Sequence, residues 1–293
     1  MDKMRKRDYT LGMKVVTLIL FIYATSLILP LLWGFVTSFK SFIDYMENPL
    51  SLPSPWMFSN YKTAYNYFFI TISHTGSSQY VYIERMFLNS MIYSVGSAFV
   101  STLVTCLVAY VTARFDYKLS KVVYWIVVVT MILPIVGSMA SEKMIVNSLG
   151  LYDSFLGVFI LKANFLGVYY LVFYASFKEI PREYEEAASI DGANNFQILF
   201  KIMLPVVKNV FATILLIKFI GFWNDYQTPL VYLPSKPTLS VGLFSYSSSA
   251  INEIASTPMK LAGALMIFLP IFVLYIIFQK YLIRGVSFGG IKE

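Results

Sequence analysis

The chain has 293 residues, 57% of them hydrophobic and 17% aromatic, with only 13% charged and a mean hydropathy of +0.65. Soluble domains carry about 25% charged residues, so this composition describes an integral membrane protein. A single cysteine, Cys106, and a single histidine, His74, exclude disulfide frameworks, zinc sites and Cys/His catalysis, and the net charge of +7 must be judged by where the charges fall.

In chain order, a basic arm comes first, with Lys3, Arg5, Lys6, Arg7 and Lys14. The apolar run over 15–39 is too long for a signal peptide's apolar region and lacks a small-residue cleavage site, so a retained first span is expected. Residues 40–85 turn polar and aromatic, broken by Pro49, Pro53 and Pro55, which predicts a long loop with short helices at most. A second span over 86–112 sets Ser90, Ser94, Ser97, Ser101 and Thr105 on one face, where small side chains let membrane helices approach closely. The third span covers about 121–141 and contains Pro134. A turn at 147–153 leads to the fourth, about 152–177. The fifth runs over about 205–223, a Pro-rich outer segment follows over 224–258, and the sixth covers 259–282 with Pro270 inside. The expected fold is an all-α membrane protein of six transmembrane helices. Its parts are 1–84 (arm, first helix and long external loop), 85–283 (helices two to six) and the tail 284–293.

Orientation follows from basic residues. With the N-terminus inside, the inner segments collect the arm with Arg114, Lys118, Lys121, Lys178, Arg182, Lys201, Lys208, Lys280, Arg284 and Lys292. The outer ones keep Lys40, Lys62, Arg85, Lys143, Lys236 and Lys260, spread over longer loops. The positive charge is therefore a topology signal and not a nucleic-acid footprint. Both termini are expected in the cytosol.

Between the fourth and fifth spans, 181–205 reads PREYEEAASIDGANNFQILFKIMLP. Pro181 suits a first helical turn, and Glu183, Glu185 and Glu186 put negative charge at the helix's positive end. Tyr184, Ala187 and Ala188 fall on one face, with the alanines allowing another surface to come close. Gly192 can take the left-handed conformation that ends the helix. A second helix follows, capped by Asn194 or Asn195, with Phe196, Leu199, Phe200 and Met203 on one side. The stretch is a helix–turn–helix elbow offered to a partner.

Lys162 and Lys218 lie inside the fourth and fifth spans. A charge at mid-membrane costs roughly 2.5–3.5 kcal/mol, so each must face a cavity, a partner or an interface. They line either a path for a polar, acidic substrate such as a uronate oligosaccharide or, more commonly, a structural pair or a snorkelling position. Asn224, Asp225 and Tyr226, beside Trp223, are equally suited to hydrogen bonding and stacking with a sugar and to capping a helix within an interfacial aromatic belt. Pro30, Pro134 and Pro270 mark kinks before they mark a broken pathway helix. The chain has no GxxxxGK[ST], so nucleotide phosphates must be held by another subunit.

These residues resemble the binding-protein-dependent ABC importer permeases of the carbohydrate branch. That family's cytosolic loop has Glu-Ala-Ala, three residues, Gly, nine residues, then Ile-x-Leu-Pro. Here Glu186-Ala187-Ala188, Gly192 and Ile202, Leu204, Pro205 match at every position. The likeness extends to Pro30, Trp33 and Ser38-Phe39-Lys40, to Asn60-Tyr61, to Asn89-Ser90, and to Ala109-Tyr110 with Arg114-Phe115. It continues through Trp223-Asn224-Asp225 and Pro229-Leu230 to Arg284-Gly285 and Gly289-Gly290.

The resemblance implies that the elbow is a coupling helix docking into a groove of a cytosolic ATPase, through Tyr184, Glu185, Glu186, Ala187, Ala188, Asp191 and Gly192. It implies a second ATPase contact at Gly289 and Gly290. It also implies a bacterial inner-membrane assembly of two homologous permeases, two ATP-binding cassette subunits and an extracytoplasmic substrate-binding protein. ATP and Mg would sit on the ATPases, with no cofactor and no catalytic or metal-binding residue on this chain. Two other classes compete. An ion-coupled secondary transporter of a polar solute would need buried acidic residues, and the spans offer essentially none. A membrane enzyme would have no chemistry to work with.

Overall fold

A computed structural model describes residues 11–74, 77–133 and 137–286; the basic arm before residue 11, Pro134, and Gly289 and Gly290 of the tail lie outside the described residues. By contact density the chain divides into two compact units, Met1–Phe68 with Tyr246–Met266, and Phe69–Ser245 with Ile267–Glu293.

In the first unit, α1 (Leu11–Thr37) is apolar on every side and exposed along nearly all its length. At its end a compact knot forms with α2 (Phe42–Glu47) and α3 (Ser59–Tyr67). Asn60 Nδ2 donates to the carbonyls of Ser38 and Lys40 at 2.8 and 2.9 Å, and Ser38 Oγ meets the Tyr61 hydroxyl at 2.7 Å. The Trp33 indole N–H donates to the Pro49 carbonyl. Lys40 is buried because its ammonium donates to Asn48 O and Ser51 Oγ and lies 3.6 Å from Asp44. Phe39 is ringed by Phe35, Trp56, Phe58 and Tyr61. Each polar group here closes the turn that follows a membrane helix, which explains why these residue types recur at these spacings.

The second unit opens on a hairpin, β1 (Phe69–His74) antiparallel to β2 (Ser77–Tyr82), in the register Phe69 opposite Tyr82 and Ile70 opposite Val81. The loop expected over 40–85 therefore carries strands. Its alternation of β-branched and aromatic residues suits a pleated pair.

The spine of the unit is α4 (Ile83–Arg114), 32 residues long. Its hydroxyl face is buried as expected: Ser90, Ser94, Ser97, Ser101 and Thr105 are all 6% exposed or less. Against it pack α5 (Lys118–Ile132), α7 (Phe155–Lys162), α8 (Val168–Lys178) and α12 (Lys208–Asn224), and α6 (Met139–Ser148) lies between α5 and α7 in sequence. Small size is what brings α7 close. A Cβ on Gly96 would come within 2.2 Å of the Phe159 ring.

Three departures from expectation concern continuity. The apolar run over 152–177 is two helices, α7 and α8, separated by 163–167, where Gly167 adopts φ +117°. The run expected over 121–141 is α5 and then a separate α6 that continues to Ser148. Before α12 lie α9 (Glu183–Ile190), α10 (Asn195–Ile198), a π-helical turn (Leu199–Met203) and α11 (Leu204–Val206). The run Asn195–Val206 bends by 76° into α12. The outer segment holds α13 (Gln227–Tyr232) and α14 (Leu239–Ser247) before α15 (Thr257–Val286). Among the described residues, α1, α4 and Thr257–Ile277 of α15 are long and apolar enough to cross a membrane, and the bent pair ending in α12 makes a fourth candidate.

Candidate functional site

The elbow is built from its caps upward. Helix α9 starts at Glu183, with Glu185 and Glu186 also in its first turn, where carboxylates meet the positive end of the helix. It stops at Gly192, whose φ of +84° is the left-handed turn that glycine adopts without penalty. The Gly192 N–H donates to the Ser189 carbonyl and the Ala193 N–H to that of Ala188, so the last carbonyls of α9 are satisfied. Asn194 then caps α10 in a reciprocal box: its Oδ1 accepts from the Gln197 N–H while Gln197 Oε1 accepts from the Asn194 N–H. Both expected punctuation marks, Gly192 and the asparagine cap, are in place.

The faces differ in part from expectation. Ala187 is exposed, but Ala188 is 7% exposed and packs into the unit's own core with Tyr110, Ala113, Phe177 and Met203. The two alanines therefore do not share one outer surface. Leu199 and Met203 turn inward, whereas Tyr184, Ile190, Phe196 and Phe200 are 56%, 85%, 75% and 54% exposed. Four large apolar side chains thus stand out on the two arms of one polar elbow, with Glu186, Asp191 and Gly192 also exposed. Ile190 follows Ala187 by three positions, a spacing that could have flagged it in the sequence.

Glu185 points the other way. Its carboxylate accepts from Arg114 Nε at 2.9 Å and Nη2 at 2.7 Å, a planar fork-on-fork pair. Arg114 Nη1 donates to the carbonyls of Phe177 and Ile180, at and just beyond the end of α8. Beside this buried pair, Arg182 Nη2 donates to Asp116 at 2.7 Å on the surface. That hydrogen bond, with Lys178 nearby, holds the Asp116 carboxyl below its ordinary range, and the same bond to Asp116 holds Arg182 above its own.

The membrane lysines both have partners within the chain. Lys218 donates to Ser101 O at 3.1 Å, Ser101 Oγ at 2.8 Å and Thr105 Oγ1 at 3.0 Å, and lies over the Tyr169 ring. An ammonium has three donors, and all three are engaged on α4 and its hydroxyl face. Lys162 donates to Thr228 Oγ1 at 2.9 Å and stands 3.9 Å from Asp225. Asp225 also accepts from the Tyr93 hydroxyl at 2.7 Å and from the Thr228 N–H at 3.1 Å. Asn224 bonds back to the Ile220 carbonyl, Trp223 is 2% exposed, and Tyr226 stacks on Phe244 at 4.7 Å between ring centroids. Lys162, Asp225, Tyr93 and Thr228 therefore form one network, and Lys218, Trp223, Asn224 and Tyr226 have local structural partners. A cavity of about 500 Å³ lined by Met91, Val95, Phe99, Leu215, Phe219 and Leu274 is apolar and offers a sugar hydroxyl no hydrogen-bond partner.

Residues 101–288 match the family described as the binding-protein-dependent transport system inner membrane component. The chain belongs to that family. It is 31% identical to the melibiose/raffinose/stachyose import permease MelC of Bacillus subtilis, over 97% of this chain and 98% of that one. It is 27% identical to the diacetylchitobiose uptake system permease NgcG of Streptomyces coelicolor, over 94% of this chain and 87% of that one. Among solved structures, a bacterial ABC transporter involved in the import of the acidic polysaccharide alginate matches with a TM-score of 0.77 at 25% identity, over 96% of this chain and 99% of that one. The MetNI methionine ABC transporter in an inward-facing form matches with a TM-score of 0.51 at 16% identity, over 69% of this chain and 95% of that one, a likeness of fold. The protein is thus an inner-membrane sugar permease of the ABC importer class, and its relatives are transport permease subunits.

Proposed function

We propose that this permease imports oligosaccharides by alternating access, driven by cytosolic ATPases that dock on the elbow. The observation that carries this reading is the elbow itself: two capped helices set by Gly192, with Tyr184, Ile190, Phe196 and Phe200 standing exposed around Glu186. On an inner-membrane chain with no phosphate loop of its own, such a surface needs a protein partner that handles the nucleotide. The assembly in this reading is this chain with a second homologous permease, two ATP-binding cassette subunits carrying ATP and Mg, and an external binding protein. Six spans with both termini inside complete the topology: α5 with α6, and α7 with α8, act as two interrupted crossings. Gly289 and Gly290 supply a second ATPase contact.

The oligosaccharide class is supported by relatives whose names specify melibiose, raffinose, stachyose and diacetylchitobiose. The two lysines that would meet an acidic, uronate-type saccharide both have partners within the chain, which favours an uncharged oligosaccharide. The solved relative in alginate import keeps the uronate worth assaying beside it.

The test is the reconstituted complex in proteoliposomes with Glu186→Lys. The charge reversal is expected to remove the ATPase from the purified complex and to abolish ATP-dependent uptake of neutral oligosaccharide. Unchanged ATPase binding and uptake would overturn the docking role, and uptake driven by an ion gradient without ATP would replace it with secondary transport.

A further inference from the structure

Arg114 is the last residue of α4 and is 9% exposed, and every contact it makes joins a different element. Its Nε and Nη2 grip the Glu185 carboxylate of α9, while Nη1 holds the carbonyls of Phe177 and Ile180 at the end of α8. The guanidinium is thus the common point of the elbow, α8 and the spine. One turn earlier on the same face, Tyr110 packs edge-on against Phe177 at 5.4 Å and Phe115 at 5.8 Å, which closes the site over the guanidinium's stem. The neighbouring Arg182–Asp116 pair joins the same two regions, but its side chains are 60% and 68% exposed, so it contributes little in water. The buried fork is different. Its planar geometry fixes angle as well as distance, which a lysine's single ammonium cannot do.

Further along α4 come Ser101 and Thr105, which hold Lys218 of α12, and then Tyr93, which holds Asp225. A displacement of α9 is therefore delivered to one rigid helix, and from it to α8, α12 and the segment after α12. Packed elements of this kind switch between discrete arrangements and do not stretch.

Resting on the reading of the elbow as the ATPase-docking element, we infer that the Arg114–Glu185 fork is the tie that transmits ATPase movement from the elbow to α4. Arg114 is a positioning residue for coupling. It touches neither sugar nor nucleotide.

The experiment uses the full reconstituted importer with Arg114→Lys, and with Glu185→Gln as a second, nearly isosteric variant. Complex yield, thermal stability, ATP hydrolysis and sugar transported per ATP are measured together. Arg114→Lys keeps the charge and loses the fork; the ATPase is expected to stay in the complex while sugar transported per ATP falls at least tenfold. Glu185→Gln is expected to lower the same ratio. A merely structural pair would lower yield, hydrolysis and uptake together and leave the ratio unchanged, and that result in either variant overturns the inference. Loss of the ATPase from both complexes also overturns it, because the pair would then belong to the docking surface. Glu186→Lys separates the two levels. If it releases the ATPase while both fork variants transport at the native ratio, the docking reading stands and the tie fails. If it leaves the ATPase bound, the docking reading itself fails.

Discussion

Asp225 organises a small polar network at the end of α12. It accepts from the Tyr93 hydroxyl and the Thr228 N–H and stands 3.9 Å from Lys162, which itself donates to Thr228. Removing it would take an acceptor from the buried Tyr93 phenol and from the Thr228 N–H, and an opposite charge from Lys162, which keeps Thr228 Oγ1. A buried polar group left unsatisfied costs about 1–3 kcal/mol, so Asp225→Ala is expected to destabilise by that order. Asp225→Asn is expected to sit at the lower end, since it keeps an oxygen for the Thr228 N–H. Thermal unfolding of the detergent-solubilised protein measures both, and equal stability of Asp225→Ala and the native chain would show that the network is held by other contacts. The same logic explains why the lysines were legible as unusual but not as paired. Lys162 and Thr228 are 66 positions apart, and Lys218 and Ser101 are 117 apart, so no local pattern connects them.

At the scale of elements, close approach and caps account for what the sequence reveals and what it hides. Gly192 and Asn194 were readable because a left-handed turn and an N-cap each demand a small set of residues. The inward turn of Ala188 and Glu185 was not, because a helix of eight residues has two faces and only tertiary packing says which is outer. The break at 163–167 was hidden for a related reason: hydropathy averaged over a span does not register five irregular residues between apolar helices. The hairpin was within reach in part, since Ile70 and Ile72 alternate with Thr71 and Ser73, and Tyr80, Val81 and Tyr82 are all strand-favouring residues. Glycine contacts give this scale its prediction. A Cβ on Gly157 would lie 2.2 Å from the Leu151 carbonyl oxygen, a backbone atom, whereas on Gly96 it would meet only the Phe159 ring. Overpacking typically costs about 1–3 kcal/mol, so Gly157→Ala is expected at or above the top of that range and Gly96→Ala lower, because a ring can shift and a strand of backbone cannot. Comparison of the two unfolding midpoints decides it, and a larger loss at Gly96 would mean that α7 is less free to adjust than its loop.

For the whole molecule, charge and length together define a topology that length alone leaves incomplete. The 15 residues of α5, 8 of α7 and 11 of α8 are each too short to cross a bilayer whose apolar core is about 30 Å thick, at about 1.5 Å per helical residue. In the proposed six-span topology interrupted pairs share the work, with irregular backbone tolerated where protein or water covers it. The proposed direction follows the distribution of lysine and arginine, with the elbow expected inside and the segment after α1 expected outside. Cysteine labelling can separate the sides without removing the natural thiol, because Cys106 is buried. Lys62 on α3 and Ser189 on α9 are both exposed, so each accepts a cysteine without disturbing a core. A membrane-impermeant maleimide applied to spheroplasts is expected to label Lys62→Cys directly and Ser189→Cys only after permeabilisation. An even number of crossings between the two positions would give both the same accessibility. In the proposed topology three crossings, by α4, by α5 with α6 and by α7 with α8, separate Lys62 from Ser189 and put them on opposite sides. Labelling of both from outside would therefore show that one interrupted pair is a re-entrant loop and does not cross.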